Sequence, residues 1–405
     1  MIVRRFLLWA RTATPGERAD AISALARSYL YSELSEQDRW EAETALTAML
    51  DDNSPLVRRA LAEALANAPE APRHVIVALA NDQADIAALV LARSPLLSDA
   101  DLVDCAALGD EFAQTAIALR IRISRPVCAA LAEIGGAGAL VELLGNPGAD
   151  IGRAALSRML ERFRDVAELR EAMLARRDLP VELRQSIAVA VADCLRLFVV
   201  DRGWMNQERC DRVVREAREK TTIALSGSTD QASVRGLMAH LRETGQLTPA
   251  LILRAILSRG LAFAEAAFAE LTDMPAQRVA GLLQDRRGQG LGALYRKSGL
   301  PIGLQPAFEA ALSALREPQV DGMAAGLHLS RRMIERVLSA CSQLPPEEAG
   351  KLMALLRRYE SEAARDEARE ISAALVDDAA LDAALQHVED GIAHAIRMRS
   401  LLSAA

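Results

Sequence analysis

Asp51-Asp52-Asn53-Ser54-Pro55-Leu56-Val57-Arg58-Arg59-Ala60-Leu61-Ala62-Glu63-Ala64-Leu65 holds an acidic turn, a cap and an amphipathic helix in one short run. Ser54 stands where an N-cap hydroxyl is favoured, and Pro55 fits the first helical position, where a missing N–H costs nothing. Leu61, Leu65 and small alanines then recur on one face at helical spacing. Related openings recur at Asp82, Asp110, Asn146 and Asp178, in steps of 30, 28, 36 and 32 residues. Each interval holds two short helices and two turns. Such a pair cannot bury its apolar face alone, but stacked pairs build one continuous core.

The composition agrees. Alanine is nearly a fifth of the 405 residues, and Phe, Trp and Tyr together number 14. Alanine has the best helix propensity, whereas aromatic and β-branched residues suit strands, so the arithmetic excludes a β-barrel or sandwich. The expectation is an all-α chain: a HEAT-like α-solenoid, a right-handed superhelix of antiparallel helix pairs, with a C-terminal helical domain. The segment Asp52 to Leu65 resembles the second half of a HEAT repeat, and the resemblance implies a ladder in which a turn Asp and a helix Arg link neighbouring units. Asp52 and Arg58 occupy those positions here, and Arg153 and Arg184 stand similarly later. Ala87 replaces the arginine in the unit at Asp82, which predicts an interrupted ladder in the middle of the array.

The character changes near Ser226-Gly227-Ser228-Thr229-Asp230, which marks a boundary. The divisions expected are repeats over 1–225, a helical domain continuing the array over 226–343, and terminal amphipathic helices over 344–405. Helices are predicted over Val234–Thr244, Thr248–Arg259, Leu261–Leu271 and Ala276–Gln284, with another through Leu315. In the tail, Leu352, Leu356, Tyr359 and Ala363 line one helix and Leu381, Leu385, Val388 and Ile392 line a second. These either cap the array or pair with another copy, giving a homodimer.

Gly245-Gln246-Leu247-Thr248-Pro249, then Phe263 with Phe268, Leu282-Leu283-Gln284-Asp285-Arg286, Gly290-Leu291-Gly292-Ala293-Leu294-Tyr295 and Gly299-Leu300-Pro301 follow one another in a fixed order. With Ser124-Arg125-Pro126-Val127 and Leu143-Leu144-Gly145-Asn146, they resemble an alphaproteobacterial family of HEAT-like helical proteins of uncharacterised function. The resemblance covers most of the chain to about Arg316. It implies a helical solenoid and supplies no activity.

Charge and cysteine usage narrow the setting. With 48 basic residues, 45 of them arginine, against 55 acidic ones, the net charge is −7, which gives no overall attraction to nucleic acid or anionic lipid. Arg153 to Arg184 carries eight arginines against six acids, and Arg196 to Lys220 seven basic residues against five. The mixing reads as exposed helix faces with i,i+4 pairing. Cys105, Cys128, Cys194, Cys210 and Cys341 form no CxxC and sit in helical runs, the usage of reduced core thiols. The apolar run Phe6 to Ala10 is too short for a signal-peptide core and ends at Arg11, and no window of about 18 apolar residues spans a membrane. A cytoplasmic protein is expected.

Motifs for chemistry are few. HExxH, GxSxG and an EF-hand loop are absent. His387, Asp390 and His394 share one helix face at metal-ligand spacing, against the plainer reading of a polar face on a terminal helix. The stretch Asp285 to Gly303 sets Gly288, Gly290, Gly292 and Gly299 near Arg286, Arg287, Arg296 and Lys297. It reads either as a tight interhelical loop or as an anion site built from Arg286, Arg287, Gly290, Arg296 and Lys297. Trp204, between two basic helices, is either a partner anchor, with Arg158 and Arg162, or a plug between repeats, the commoner fate of a tryptophan.

These features predict no enzyme and no cofactor, but a scaffold or adaptor that binds a protein partner on a concave helical surface. The alternatives are a nucleic-acid binder or DNA-glycosylase-like enzyme with Arg153, Arg158, Arg162 and Arg164 on its basic face, and a sensor of a phosphate-bearing ligand at 285–303.

Overall fold

A computed structural model of the chain describes residues 6, 8–227, 230–285, 289–316, 329–342, 350–369, 371–373 and 375–376. They are helical throughout, with no strand among the described residues and one isolated parallel bridge between Ile123 and Ala149. The chain divides into two compact units, Met1–Leu197 and Phe198–Ala405.

In the first unit the helices form two rows. One row holds α1 (Pro15–Tyr31), α3 (Pro55–Leu65), α5 (Ala84–Arg93), α7 (Glu111–Ala118), α9 (Ala137–Gly145) and α11 (Ala167–Ala175), each packed on the next of the row. The other holds α2 (Glu36–Ala48), α4 (Arg73–Ala80), α6 (Asp99–Leu108), α8 (Arg125–Ile134), α10 (Arg153–Arg162) and α12 (Val181–Asp201), with α6 on α8 and α8 on α10. Each short helix buries one apolar stripe: Val57, Leu61 and Leu65 in α3, Ile86, Val90 and Leu91 in α5, Leu140, Leu143 and Leu144 in α9. Together these stripes make one core running from Ala19 to Ile187. Full burial stabilises by roughly 1.5–3 kcal/mol per large aliphatic side chain, so the core is the main source of this unit's stability.

Polar rungs set the register between neighbours. Arg18 grips Asp52 with both ends of its fork, at 2.8 and 2.9 Å, and Arg58 grips Asp82 at 2.7 and 3.0 Å. Arg58 also donates to the Asp52 carbonyl at 2.6 Å. A turn aspartate is thus held by the arginine of the preceding unit, not by the arginine of its own helix. The ladder then stops at Ala87, and Asp110 accepts instead from the Ala113 N–H of its own helix at 3.0 Å.

Beyond that point, groups reaching helix-end carbonyls take over. Arg120 donates to the Leu91 and Ser94 carbonyls, Asn146 to those of Ala118 and Arg120, and Arg176 to that of Leu144. Each satisfies C-terminal carbonyls that a helix cannot pair itself. Arg153 pairs with Glu182 at 3.0 Å, whereas Arg184 departs from the expected ladder and donates to the carbonyls of Leu179 and Arg176.

The second unit is built around α15 (Pro249–Leu257), in which every residue from Leu251 to Leu257 is buried. Thr248 caps it, accepting from the Leu251 N–H at 3.2 Å. Around it lie α13 (Gln207–Gly227), α14 (Gln231–Glu243), α16 (Leu261–Thr272), α17 (Ala276–Gln284), α18 (Gln289–Lys297), α19 (Gln305–Leu315) and α20 (Arg331–Cys341), followed by helical residues 350–369, here α21. Phe268, Phe308 and Tyr295 pack ring on ring, with centroids 6.1 and 5.2 Å apart. The face of α21 made by Leu352, Leu356, Tyr359 and Ala363 is buried within the chain.

A guanidinium sits deep inside this apolar assembly. Arg254 is 1% exposed and donates to Glu219 at 3.0 Å and to Glu362 at 2.9 Å, with a second, shorter contact to Glu362. Tyr359 lies beside it, donating its hydroxyl to the Ala250 carbonyl at 2.9 Å. An unpaired guanidinium here would cost several kcal/mol, so the two carboxylates are obligatory partners.

Two outcomes follow for stability. Hydrogen bonds from Arg18 hold the Asp52 carboxyl below its ordinary range. A carboxylate depressed in the fold adds stability above its unfolded pKa of about 3.9, and that stability disappears as pH falls through the folded value. Urea titrations from pH 6 down to 2 will show a shallower acid loss in Asp52→Asn than in the wild type. Arg254→Met alone will lower the unfolding free energy by about 3–5 kcal/mol, because the buried Glu362 loses its counter-charge and the half-buried Glu219 keeps only Arg358, at 3.9 Å. Replacing Arg254 with Met and Glu219 and Glu362 with Leu together will recover most of that loss.

Candidate functional site

The candidate surface begins at the end of α12. Gly203 has φ +66°, a left-handed conformation that glycine adopts without strain. Its N–H donates to the Val200 carbonyl at 2.9 Å, and the Trp204 N–H reaches back to Val199 at 3.2 Å. That pair of bonds is a Schellman stop, in which the residue after the glycine folds onto the last helical turn. Trp204 does this, meeting Phe198 edge to face with ring centroids 5.6 Å apart. The Arg202 guanidinium lies over the other aromatic ring, 5.1 Å from the Phe198 centroid.

Trp204 nevertheless remains 69% exposed and Phe198 47% exposed. The expected plug between repeats is therefore corrected: the stop motif turns the indole along the helix surface and not into a core. After it, Asn206 accepts from the Arg209 N–H at 2.9 Å and starts α13. Arg209, Arg212 and Val213 follow as neighbours on the exposed surface of its first turns.

The other residues singled out above fall elsewhere. Arg158 and Arg162 belong to the first unit and are engaged there. Arg158 pairs with Glu133 at 2.8 Å and with Glu161 at 3.3 Å, while Arg162 donates to the Ala132 carbonyl at 2.8 Å and lies over Phe163. Arg153 and Arg164 are paired as well, with Glu182 and Asp193. Three of the four arginines expected on a nucleic-acid face are thus paired with carboxylates, and Arg162 is held by a carbonyl.

Within 285–303, Arg286, Arg287 and Gly288 lie outside the described residues. The expected loop is corrected from Gln289 on, because 289–297 is an α-helix that buries Leu291, Leu294 and Tyr295. Gly290 sits in that helix for reasons of space: a Cβ there would lie 2.4 Å from the Leu282 methyl. Arg296 and Lys297 are exposed in its last turn, where cations complement the helix dipole. A positive φ is needed in this stretch at Gly299. His387, Asp390 and His394 lie outside the described residues, and among the described residues no group of three or more His, Cys, Asp or Glu could hold a metal ion.

Cys105, Cys128, Cys210 and Cys341 are buried and Cys194 is half-buried. Burial pushes the Cys128 thiol up to about 11, so it stays protonated and unreactive at neutral pH. No helix among the described residues is long and apolar enough to cross a membrane.

Sequence reasoning missed Arg254, although a single charge within Leu251-Ile252-Leu253-Arg254-Ala255-Ile256-Leu257 was the signal for it. The exposure of Trp204 has a direct optical check. With Trp9 and Trp40 changed to Phe, Trp204 alone will emit at the long wavelength of a hydrated indole and be quenched by iodide. A blue-shifted, protected emission would mean a plug after all.

No curated protein and no solved structure matches the chain. One family does match, over residues 86–347, a span that includes the Gly203–Trp204 stop and all of α15. The chain belongs to that family, described as an uncharacterised protein conserved in bacteria, DUF2336.

Proposed function

We propose that this chain is a non-enzymatic protein-binding scaffold or adaptor of the bacterial cytoplasm, with a regulatory role. Its first unit is taken as a HEAT-like helical-repeat array of the alphaproteobacterial kind, a right-handed superhelix of antiparallel pairs. Supporting this are the row of short helices α1, α3, α5, α7, α9 and α11, each packed on the next of the row, the α6–α8–α10 contacts of the second row, and the Arg18–Asp52 and Arg58–Asp82 rungs between units. The observation that carries the binding role is the exposed Trp204–Phe198 pair under an arginine. Trp and Arg are the residues most enriched where binding energy concentrates, and a tryptophan held rigidly in water loses little entropy on docking.

The nucleic-acid reading is less favoured, because Arg153, Arg158, Arg162 and Arg164 already hold protein partners. The ligand-sensor reading is less favoured too, because Gly290 and Gly292 lie within a helix and not in a phosphate-cradling loop.

The test is a nuclease-treated affinity pull-down with the full chain from source cells, compared with Trp204→Ala at low and moderate salt. One or two proteins should be enriched by the wild type at both salts and lost with Trp204→Ala. Enrichment of nucleic acid from an untreated control, with no protein that depends on Trp204, would contradict the proposal.

A further inference from the structure

The partner of the Trp204 surface can be narrowed by how helix α13 distributes its charge. In the second half of the helix the charges are consumed inside the unit. Glu216 pairs with Arg365 at 3.3 Å, Glu219 with Arg254 at 3.0 Å, and Lys220 with Asp366 at 2.6 Å. The first and third of these pairs seat α21 against α13, the second ties α13 to α15, and together they engage both of those α13 carboxylates.

The first half is left unbalanced. Arg209, Arg212 and Arg215 are exposed and take no ion-pair partner among the described residues, and Arg202 stands exposed over Phe198. Against these four arginines the same surface exposes two acids, Asp201 and Glu208, while Asp211 is half-buried. In a chain of net charge −7, the stretch 201–215 thus exposes more arginines than acids, and it holds the exposed indole of Trp204. Val213, one turn on from Arg209, adds an exposed aliphatic side chain.

We infer that this surface docks an acidic peptide segment carrying one or two large apolar anchors. The Trp204 and Phe198 rings receive the anchors, and Arg202, Arg209 and Arg212 receive the flanking carboxylates. Guanidinium forks match carboxylates in geometry, and a rigid aromatic with an arginine rim is the usual anatomy of an interaction hot spot. A polyphosphate partner fits less well. The whole-chain charge repels a long polyanion, and Asp201 and Glu208 would oppose a continuous phosphate track. A short segment with a few acids meets the arginines without that opposition. The inference rests on the scaffold reading and adds to it the class of partner.

The test is selection of a random twelve-residue phage-displayed peptide library on the intact chain, with counter-selection on Trp204→Ala. The selected peptides are then synthesised and titrated by fluorescence anisotropy. Winners should place Asp or Glu around Trp, Phe or Leu, and bind Trp204→Ala about thirtyfold more weakly. They should also lose about tenfold or more with Arg209→Glu/Arg212→Glu, a variant that leaves the buried pairs untouched. Unchanged thermal unfolding of both variants will show that each loss is one of contact.

Winners that are neutral or basic, or that bind the double reversal as well as the wild type, would overturn the inference. So would the absence of any peptide that distinguishes wild type from Trp204→Ala. A 20-base-pair duplex that binds in an Arg209- and Arg212-dependent way, with no peptide doing so, would assign these arginines to nucleic acid and overturn it as well. If the pull-down still loses its proteins with Trp204→Ala while no acidic peptide emerges, the partner class fails alone. If both fail, the docking role of Trp204 fails with it.

Discussion

A guanidinium buried in an otherwise apolar helix dictates much of the second unit. Arg254 cannot stay in α15 unpaired, so Glu219 of α13 and Glu362 of α21 must both approach it. Burial pushes the Glu219 carboxyl up, and the Arg254 and Arg358 charges oppose that shift. The network fixes three helices in one register. Hydrophobic packing alone would leave α21 free to slide by a turn along its Leu352, Leu356, Tyr359 and Ala363 stripe. A buried ion pair is weak evidence for stability, and its worth here is in selecting one arrangement of helices. The same network takes Glu219 from α13, and Arg365 takes Glu216, so two carboxylates of that helix are engaged within the unit.

The first unit solves the register problem differently. Its core is a continuous sequence of short apolar stripes whose contacts run to near neighbours. Register comes from rungs at the turns, of two chemical kinds. Early rungs are Arg–Asp forks, and later ones add Arg or Asn groups that satisfy helix-end carbonyls beside pairs such as Arg125–Asp150 and Arg153–Glu182. The change occurs where Ala87 removes the arginine. Any donor long enough to reach the preceding helix end can serve, which is why the spacing between units varies while the packing persists.

Helix positions were largely legible in the sequence, because caps and apolar stripes are local signals. Thr248-Pro249, the Leu61/Leu65 stripe and the Leu352/Leu356/Tyr359/Ala363 face all reappear as read. Partners across long distances were not legible. Nothing near Arg254 announces Glu362, 108 residues away. The glycines of 289–297 were misread because a glycine looks the same in a loop and in a helix that must approach Leu282 closely. Trp204 was left between a partner anchor and a core plug for a related reason. Hydrophobicity suggested a core, but the preceding Gly203 ends the helix and lays the indole along its surface. Arg202-Gly203-Trp204 between two helical runs was the available signal.

The most direct measurement is photo-crosslinking in growing cells, with a benzophenone amino acid at the exposed position Gln207 beside Trp204. If this surface docks a partner, irradiation will produce a discrete crosslinked protein that disappears when Arg209 and Arg212 are reversed to Glu. A chain that gives no adduct from position 207, yet crosslinks a protein from the exposed first-unit position Ile121, would contradict the claim. It would move the docking surface to the helical rows.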